Sequence, residues 1–309
     1  MLLQEARFET PRLVAEHPAE FRSAKKRALF ERIAPAGTHH HGTIEVRRFG
    51  SQHPTGSFDP RALDLELRPT IFAYTTTEGA TDWYLNFAHH ELFSCYGTRL
   101  FAQDEIQVAE HPALASLTEA LLADPIVTPL TVEDGRATPV LVRGVERRVA
   151  IDTREIYGNA FAVASDDVIE RALTDLDPPT RSNLLAMEAP FGHVGAYTEA
   201  QLTFILDTAF SGFSAAVESS AGPAVVHSGF WGCGAYGGDR VLMPLLQLVA
   251  AQLAGVHRLV LYAVTTSGLP DFERARALAA ELAPEPTPVD TVVQRILRCG
   301  FVWGVSNGT

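Results

Sequence analysis

Hydrophobic residues recur along this chain at two different periods. In TEAQLTFILDTAFSGFSAAV, Leu202, Ile205, Ala209 and Phe213 stand three or four residues apart, which predicts one buried face of a helix. PAEFRSAKKRALFERIA near the N-terminus has the same spacing, and QDEIQVAEHPALASLTEALLA predicts helix interrupted near Pro112. The short runs TIFAYTT, DWYLNFA, TPVLVRG, SNLLAMEAP, PAVVH and HRLVLYAV are aromatic, aliphatic or β-branched and predict strands. FERARALAAEL and VDTVVQRIL predict closing helices. From Pro69 onward strands alternate with helices, which predicts an α/β sheet with helices on both faces. Residues 1 to about 62 read as helix followed by loop, with PAGTHHHGT turn-like, and a charged loop follows TPVLVRG.

Composition narrows the setting. The 309 residues are 46% hydrophobic and 20% charged, an ordinary globular balance with a sizeable core. No apolar run approaches the ~20 residues that span a bilayer, so no membrane partner is expected. MLLQEARFETPRL carries charges where a signal peptide needs its apolar core, so a cytoplasmic location is the expectation. Cys95, Cys233 and Cys299 are far apart and form neither a zinc pattern nor a disulfide framework. With a net charge of −12, the chain lacks the basic face of a nucleic-acid binder.

The unusual feature is AVVHSGFWGCGAYGGDRVLMPLLQLV, with five glycines from Gly229 to Gly238 between a predicted strand and an apolar helix. Glycines let a backbone come close to a phosphate, and amides at a helix N-terminus attract anions. Asp239 is placed to cap that helix and Pro244 to sit in or near its first turn. Spacing alone also allows a tight chain reversal. The loop fits neither the dinucleotide fingerprint nor the P-loop pattern.

The same string closely resembles the diphosphate loop of the poly(ADP-ribose) glycohydrolase family, T-G-N-W-G-C-G-A-F-G-G-D before an apolar, Gln-containing helix. Trp231, Gly232, Cys233, Gly234, Ala235, Gly237, Gly238, Asp239 and Gln247 match, Tyr236 replaces Phe, and Phe230 replaces Asn. SNLLAMEAP is similar to the family's IVAIDA strand. NFAHHELFSCYGTRLFAQDEIQVAEHPAL aligns with its D-F-A-N-x-x-x-G-G-G stretch leading to Q-E-E-I. The resemblance implies a macrodomain over residues 65–309: a mixed, mostly parallel sheet flanked by helices, with residues 1–64 as an N-terminal helical and loop extension. It also implies an ADP-ribose-containing or NAD-derived small-molecule substrate, and neither metal nor cofactor.

The resemblance assigns roles. Glu105 takes the position of the Glu that protonates the departing glycosidic oxygen and activates water. Asp104 takes that of the Glu that positions ribose hydroxyls, one methylene shorter, and Gln103 completes the triplet. The expected substrate contacts are His89, Phe93, Ser94, Cys95 and Asn159, with Gly229, Phe230, Trp231, Gly232, Cys233, Gly234, Ala235, Tyr236, Gly237 and Gly238 of the loop. Phe93-Ser94-Cys95 replaces the family's triple glycine, His89 its Asn, and IYGNAF corresponds to its tyrosine segment. From residue type alone, Gln103-Asp104-Glu105 could instead open a helix, since acids are favoured in a first turn. Cys95 reads as a small hydrophobe, His39-His40-His41 as solvated, and Trp83 and Trp303 as packing residues. The expected function is a divergent glycohydrolase acting on the ribose of an ADP-ribose-like nucleotide through Glu105. The alternatives are a true poly(ADP-ribose) or ADP-ribosyl-protein glycohydrolase and an ADP-ribose-binding module without catalysis.

Overall fold

The computed structural model describes residues 1–306. Its strands are β1 (Leu2–Glu9), β2 (Thr43–Phe49), β3 (Ser57–Phe58), β4 (Asp64–Arg68), β5 (Thr81–Phe87), β6 (Val132–Glu133), β7 (Arg136–Ala137), β8 (Val140–Ile151), β9 (Leu173–Met187), β10 (Ala224–Gly229), β11 (Arg258–Tyr262) and β12 (Thr287–Pro288). Its helices are α1 (Thr10–Glu16), α2 (Ala24–Ile33), α3 (Gln103–Glu110), α4 (Ala113–Ala123), α5 (Asn159–Val163), α6 (Asp166–Ala172), α7 (Glu199–Glu218), α8 (Leu242–Leu253), α9 (Leu269–Leu282) and α10 (Val289–Arg298).

Eight strands form one sheet in the order β1-β2-β8-β9-β5-β10-β11-β4, and two short ribbons stand apart from it. From β9 to β4 every pairing is parallel, while β1, β2 and β8 add an antiparallel flank that joins through β8 and β9. The expected mixed, mostly parallel sheet between helices is present. In the parallel half, near-continuous apolar runs cover both faces, as LVLY of β11 does, because helices and loops shield each side.

Helix α7 follows the sequence pattern closely. Leu202, Ile205, Ala209 and Phe213 are buried, and Thr198 and Gln201 cap each other, the Thr198 hydroxyl accepting from the Gln201 amide at 3.3 Å. Burying a side chain the size of Phe213 contributes about 2–3 kcal/mol. Gly212 allows a close approach there: a Cβ would lie 2.8 Å from Met187 Sδ, so that side chain would have to shift to admit one.

Three expectations are corrected. TIFAYTT is not a strand. Residues 69–80 run as a loop over β5, β10 and β11, packing Phe72 on Tyr84 and Tyr262, and Tyr74 adopts a left-handed φ of 51°. The charged residues after TPVLVRG are strand: β8 runs on through Glu146, Arg147 and Arg148, whose charges are met by neighbours such as Glu110 at 2.7 Å. Residues 1–64 are more than helix and loop, since β1 and β2 extend the main sheet antiparallel to β8. Within that stretch the PAGTHHHGT turn is a loop, and its His40 is buried against Glu146 at 3.2 Å.

Candidate functional site

Parallel α/β sheets place ligands beyond the carboxyl ends of their strands, where chain connections diverge. Here β5, β9 and β10 lie side by side, and their carboxyl ends release the segments singled out in the sequence. After Phe87 comes His89 to Cys95, after Met187 comes Glu188, and after Gly229 comes the glycine loop.

The loop folds on its own backbone. The Gly238 amide donates to the Gly232 carbonyl at 2.8 Å, Gly237 to Gly234 at 3.1 Å and Cys233 to Phe230 at 3.0 Å. Gly232 needs its left-handed φ of 76°, and a Cβ there would lie 2.6 Å from Ala189 Cβ. Asp239 Oδ1 accepts from the amides of Val241 and Leu242, both at 2.8 Å, and so caps the turn entering α8, with Pro244 in its first turn. Gln247 reaches back from α8 to bond Ser228 and the Gly229 carbonyl. Among these internal bonds, the amides of Gly234, Ala235 and Tyr236 take no part.

Side chains of the loop divide by direction. Trp231 is fully buried and its indole N–H donates to the Met187 carbonyl at 3.0 Å, so it anchors the loop and could touch a ligand only through its main chain. Phe230 stacks on Phe272 of α9, with ring centres 4.3 Å apart, and carries the Arg240 guanidinium 3.7 Å from its ring. Cys233 Sγ points at the carbonyls of Trp231 and Asp239, and burial pushes its thiol well above the usual range. Tyr236 turns the other way: its hydroxyl donates to Glu188 at 3.2 Å, and Asp104 and Cys95 both act on it electrostatically.

The carboxylate triplet opens α3. Gln103 locks the helix to β5, accepting from the Phe87 amide at 2.8 Å and donating to the Leu85 carbonyl at 3.0 Å. Asp104 is buried and accepts from Asn86 Nδ2 at 2.9 Å. Glu105 is 3% exposed, and its Oε2 accepts from the Ala102 amide at 2.8 Å, the carboxylate half of a capping box. The helix-opening role and the site position are therefore combined in one residue. Loss of hydration raises the proton affinity of both carboxyls, and for Asp104 the neighbouring Glu105 charge adds to the rise.

The loop that replaces the triple glycine keeps a glycine-like backbone. Phe93 has φ 57° yet is fully buried among Leu92, Tyr96 and Phe101 in the core beneath the site. Its ring therefore fills core rather than pocket. Ser94 and Cys95 are half-buried, and burial, then Glu105, pushes the Cys95 thiol up, which leaves it a poor nucleophile. His89 Nδ1 accepts from the Glu91 amide at 3.3 Å and lies 3.5 Å from Ser94 Oγ. His89, His90 and Glu91 bring donor atoms within 4.8 Å of one another, and the His89 Nδ1 lone pair already accepts from the Glu91 amide. Asn159 opens α5 at the surface. Its neighbours fix that segment to the site: the Gly158 amide donates to the Phe101 carbonyl at 2.8 Å and Phe161 stacks on Phe101 at 4.2 Å. Trp83 and Trp303 are buried packing residues, as expected.

Two residues were missed from sequence. Glu188, buried between Tyr236 and His90 with its carboxyl raised by burial, stands just past β9, a position the predicted strand could have flagged. Lys26 of α2 is fully buried near the triplet, and nothing in its helical spacing marks it.

Residues 101–270 match the family model described as poly(ADP-ribose) glycohydrolase, macro domain fold. No curated protein matches. Among solved structures, the poly(ADP-ribose) glycohydrolase of Thermomonospora curvata bound to the inhibitor ADP-HPD is 19% identical, covering 87% of this chain and 96% of that one with a TM-score of 0.49. Another structure of the glycohydrolase from the same organism is 16% identical over 88% and 85%, with a TM-score of 0.47. The Deinococcus radiodurans enzyme in complex with ADP-ribose is 16% identical over 90% and 94%, with a TM-score of 0.47. No helix among the described residues is long and apolar enough to cross a membrane. With more than half of its length matched by the family model, this chain belongs to the poly(ADP-ribose) glycohydrolase family.

Proposed function

We propose that this chain hydrolyses the glycosidic bond to the ribose of an ADP-ribose-like or NAD-derived nucleotide, with Glu105 as general acid and then general base. The observation that carries the reading is the convergence of the two halves at the carboxyl ends of the neighbouring strands β5, β9 and β10: the glycine loop leaves β10, Tyr236 of that loop bonds Glu188 at the end of β9, and Gln103 ties the helix that carries Asp104 and Glu105 to the end of β5. In this reading the amides of Gly234, Ala235 and Tyr236 hold the diphosphate. Glu105 gives its proton to the leaving oxygen as the bond from C1′ breaks, and positive charge spreads over the ribose ring. Water then adds to C1′ and returns a proton to the Glu105 carboxylate. For an O-glycoside the sum is water plus glycoside giving ADP-ribose and an alcohol; from NAD the cationic ring nitrogen leaves as neutral nicotinamide without a proton, and Glu105 acts only as the base that takes the proton of the attacking water. A carboxyl whose proton affinity is raised by burial suits the first step, and Asp104 suits the ribose hydroxyls.

Residues 65–309 act in this reading as the catalytic domain. The substitution of Phe93-Ser94-Cys95 for glycines supports a substrate other than the polymer, because half-buried Ser94 and Cys95 add side chains beside the carboxylates. A second reading, binding without cleavage, is favoured by one observation: Glu105 is 3% exposed and already engaged with Ala102. The two separate in one assay. Poly(ADP-ribose), mono-ADP-ribosylated protein and NAD are each incubated with the chain and released ADP-ribose is measured. Release that falls about 10²- to 10⁴-fold in Glu105→Gln, the usual worth of a general acid, is the expected result. Tight ADP-ribose binding with no release from any of the three would establish the binding module instead.

A further inference from the structure

The turn that carries the uncommitted amides has few handles of its own. From Gly234 to Gly238 the sequence is Gly-Ala-Tyr-Gly-Gly, so Tyr236 alone has a side chain larger than a methyl group. Glycine-rich backbone loses much conformational freedom when fixed, and a turn of this kind needs anchors to keep one shape. The rear anchor is main chain, the Gly304 amide donating to the Gly237 carbonyl at 2.7 Å. The front anchor is the Tyr236 side chain. Its ring meets Phe191 with centres 5.0 Å apart, but Phe191 is itself exposed and makes a weak wall. Its hydroxyl donates to Glu188 Oε1 at 3.2 Å.

Glu188 is placed to receive that bond. It follows β9 directly and is 5% exposed. The same Oε1 lies 3.8 Å from His90 Nδ1, in the segment that leaves β5. His90 is itself held: the Thr131 amide donates to its carbonyl at 2.8 Å, and Thr131 Oγ1 donates to the His89 carbonyl at 3.0 Å. One carboxyl therefore gathers groups from the ends of β5, β9 and β10. A buried carboxyl left without partners is costly, so its bonds constrain the groups that supply them. The hydroxyl is also what Tyr236 carries beyond the Phe of the family's loop string.

We propose that Glu188 is a positioning residue of this site: by holding the Tyr236 hydroxyl it fixes the turn that presents the Gly234, Ala235 and Tyr236 amides, and thereby sets how tightly that turn takes a diphosphate. The ligand half of this statement rests on the nucleotide reading above, and the half about the shape of the turn does not. A turn already held in its bound shape loses less freedom when the ligand arrives. Glu188 needs only an acceptor oxygen for this role. Gln keeps that oxygen and Ala removes it.

The amides of Gly237 and Gly238 close the turn onto Gly234 and Gly232, so their hydrogen exchange reports its opening. Exchange is followed by NMR in the full chain, in Tyr236→Phe, Glu188→Ala and Glu188→Gln, and in the double variant Tyr236→Phe/Glu188→Ala. The expected result is exchange about tenfold faster in Tyr236→Phe and in Glu188→Ala, the effect of one lost hydrogen bond. The double variant should be no faster than the single ones, because both remove the same bond. Glu188→Gln should stay near the original. ADP-ribose affinity, read by calorimetry, should fall by about the same factor in both single variants and recover in Glu188→Gln. Unchanged exchange in Tyr236→Phe, or effects that add in the double variant, overturns the proposal. Faster exchange with unchanged ADP-ribose affinity overturns it as well. If Glu188→Ala does not fold, Tyr236→Phe and Glu188→Gln decide by the same readings. Failure of the unaltered chain to bind ADP-ribose would strike the nucleotide reading alone, because exchange measures the hold of Glu188 on the turn without any ligand.

Discussion

The glycine loop and the loop from His89 to Thr98 lie on neighbouring strands, yet they are built by opposite means. The first is held by its own main chain, Gly238 closing on Gly232 and Asp239 capping the entry to α8. The second carries Phe93-Ser94-Cys95 in place of a glycine run and is held by distant chain: Tyr96 and Gly97 are bound by residues 20–26, and Phe93 is buried in the core. The difference teaches that a turn closed by its own main chain depends on backbone shape, which few sequences satisfy. A loop supported by distant chain can be built with side chains instead. Phe93 shows the compromise, keeping a left-handed φ of 57° that costs about 1–3 kcal/mol in a non-glycine residue.

The largest change that probes this contrast is Phe93→Gly. It restores the family's residue and relieves the strain, but it empties a fully buried aromatic site. The cavity costs about 3–5 kcal/mol, so a net loss of a few kcal/mol in urea unfolding is expected. A stable, more active variant would show that the ring obstructs the pocket instead of supporting it.

Gly238→Ala probes the other loop. A Cβ there would stand 2.8 Å from the Gly232 carbonyl oxygen and 2.9 Å from Met243 Cγ, so the main-chain closure must open at about 1–3 kcal/mol. ADP-ribose affinity, read by calorimetry, should fall about tenfold for each ~1.4 kcal/mol of lost main-chain bonding. Retained affinity with lower stability would separate the loop's structural role from ligand binding.

The smallest effect concerns pH. Burial, then Glu105, raises the folded-state proton affinity of Asp104. Its contribution to stability is therefore fully present below its unfolded value of about 3.9 and is lost as pH rises through the elevated folded value. Lys26, lowered to about 8, works in the opposite direction only above that pH. Asp104→Asn should flatten the decline of stability between about pH 5 and 8 measured by urea midpoints. Parallel curves for the two chains would place the pH dependence elsewhere.

Much of the molecule could be read locally. The α7 face, the β5, β10 and β11 strands and the glycine loop each follow from short-range demands: helical period, apolar runs or backbone freedom at Gly232. What escaped depended on distant partners. TIFAYTT has strand composition but pairs with no strand, and it spends its aromatic rings covering Tyr84 and Tyr262. The charged end of β8 looked like loop because Glu110 of α3, which neutralises Arg147, lies 37 residues away. Lys26 sits among other charged residues of α2, and only the folded chain turns it inward beneath Phe101. In the candidate site, the loop shaped by its own backbone was legible, and the residues that lie near it from elsewhere in the chain, Lys26 and Glu188, were not.

The central claim is that amides of the glycine turn and the Glu105 carboxyl address one nucleotide from two sides. A crystal structure of the chain with ADP-ribose bound tests it most directly. The account predicts diphosphate oxygens within hydrogen-bond reach of the Gly234 to Tyr236 amides, with the Glu105 carboxyl facing C1′ of the terminal ribose. Diphosphate bound away from that turn, or a ribose whose C1′ faces away from Glu105, would contradict it.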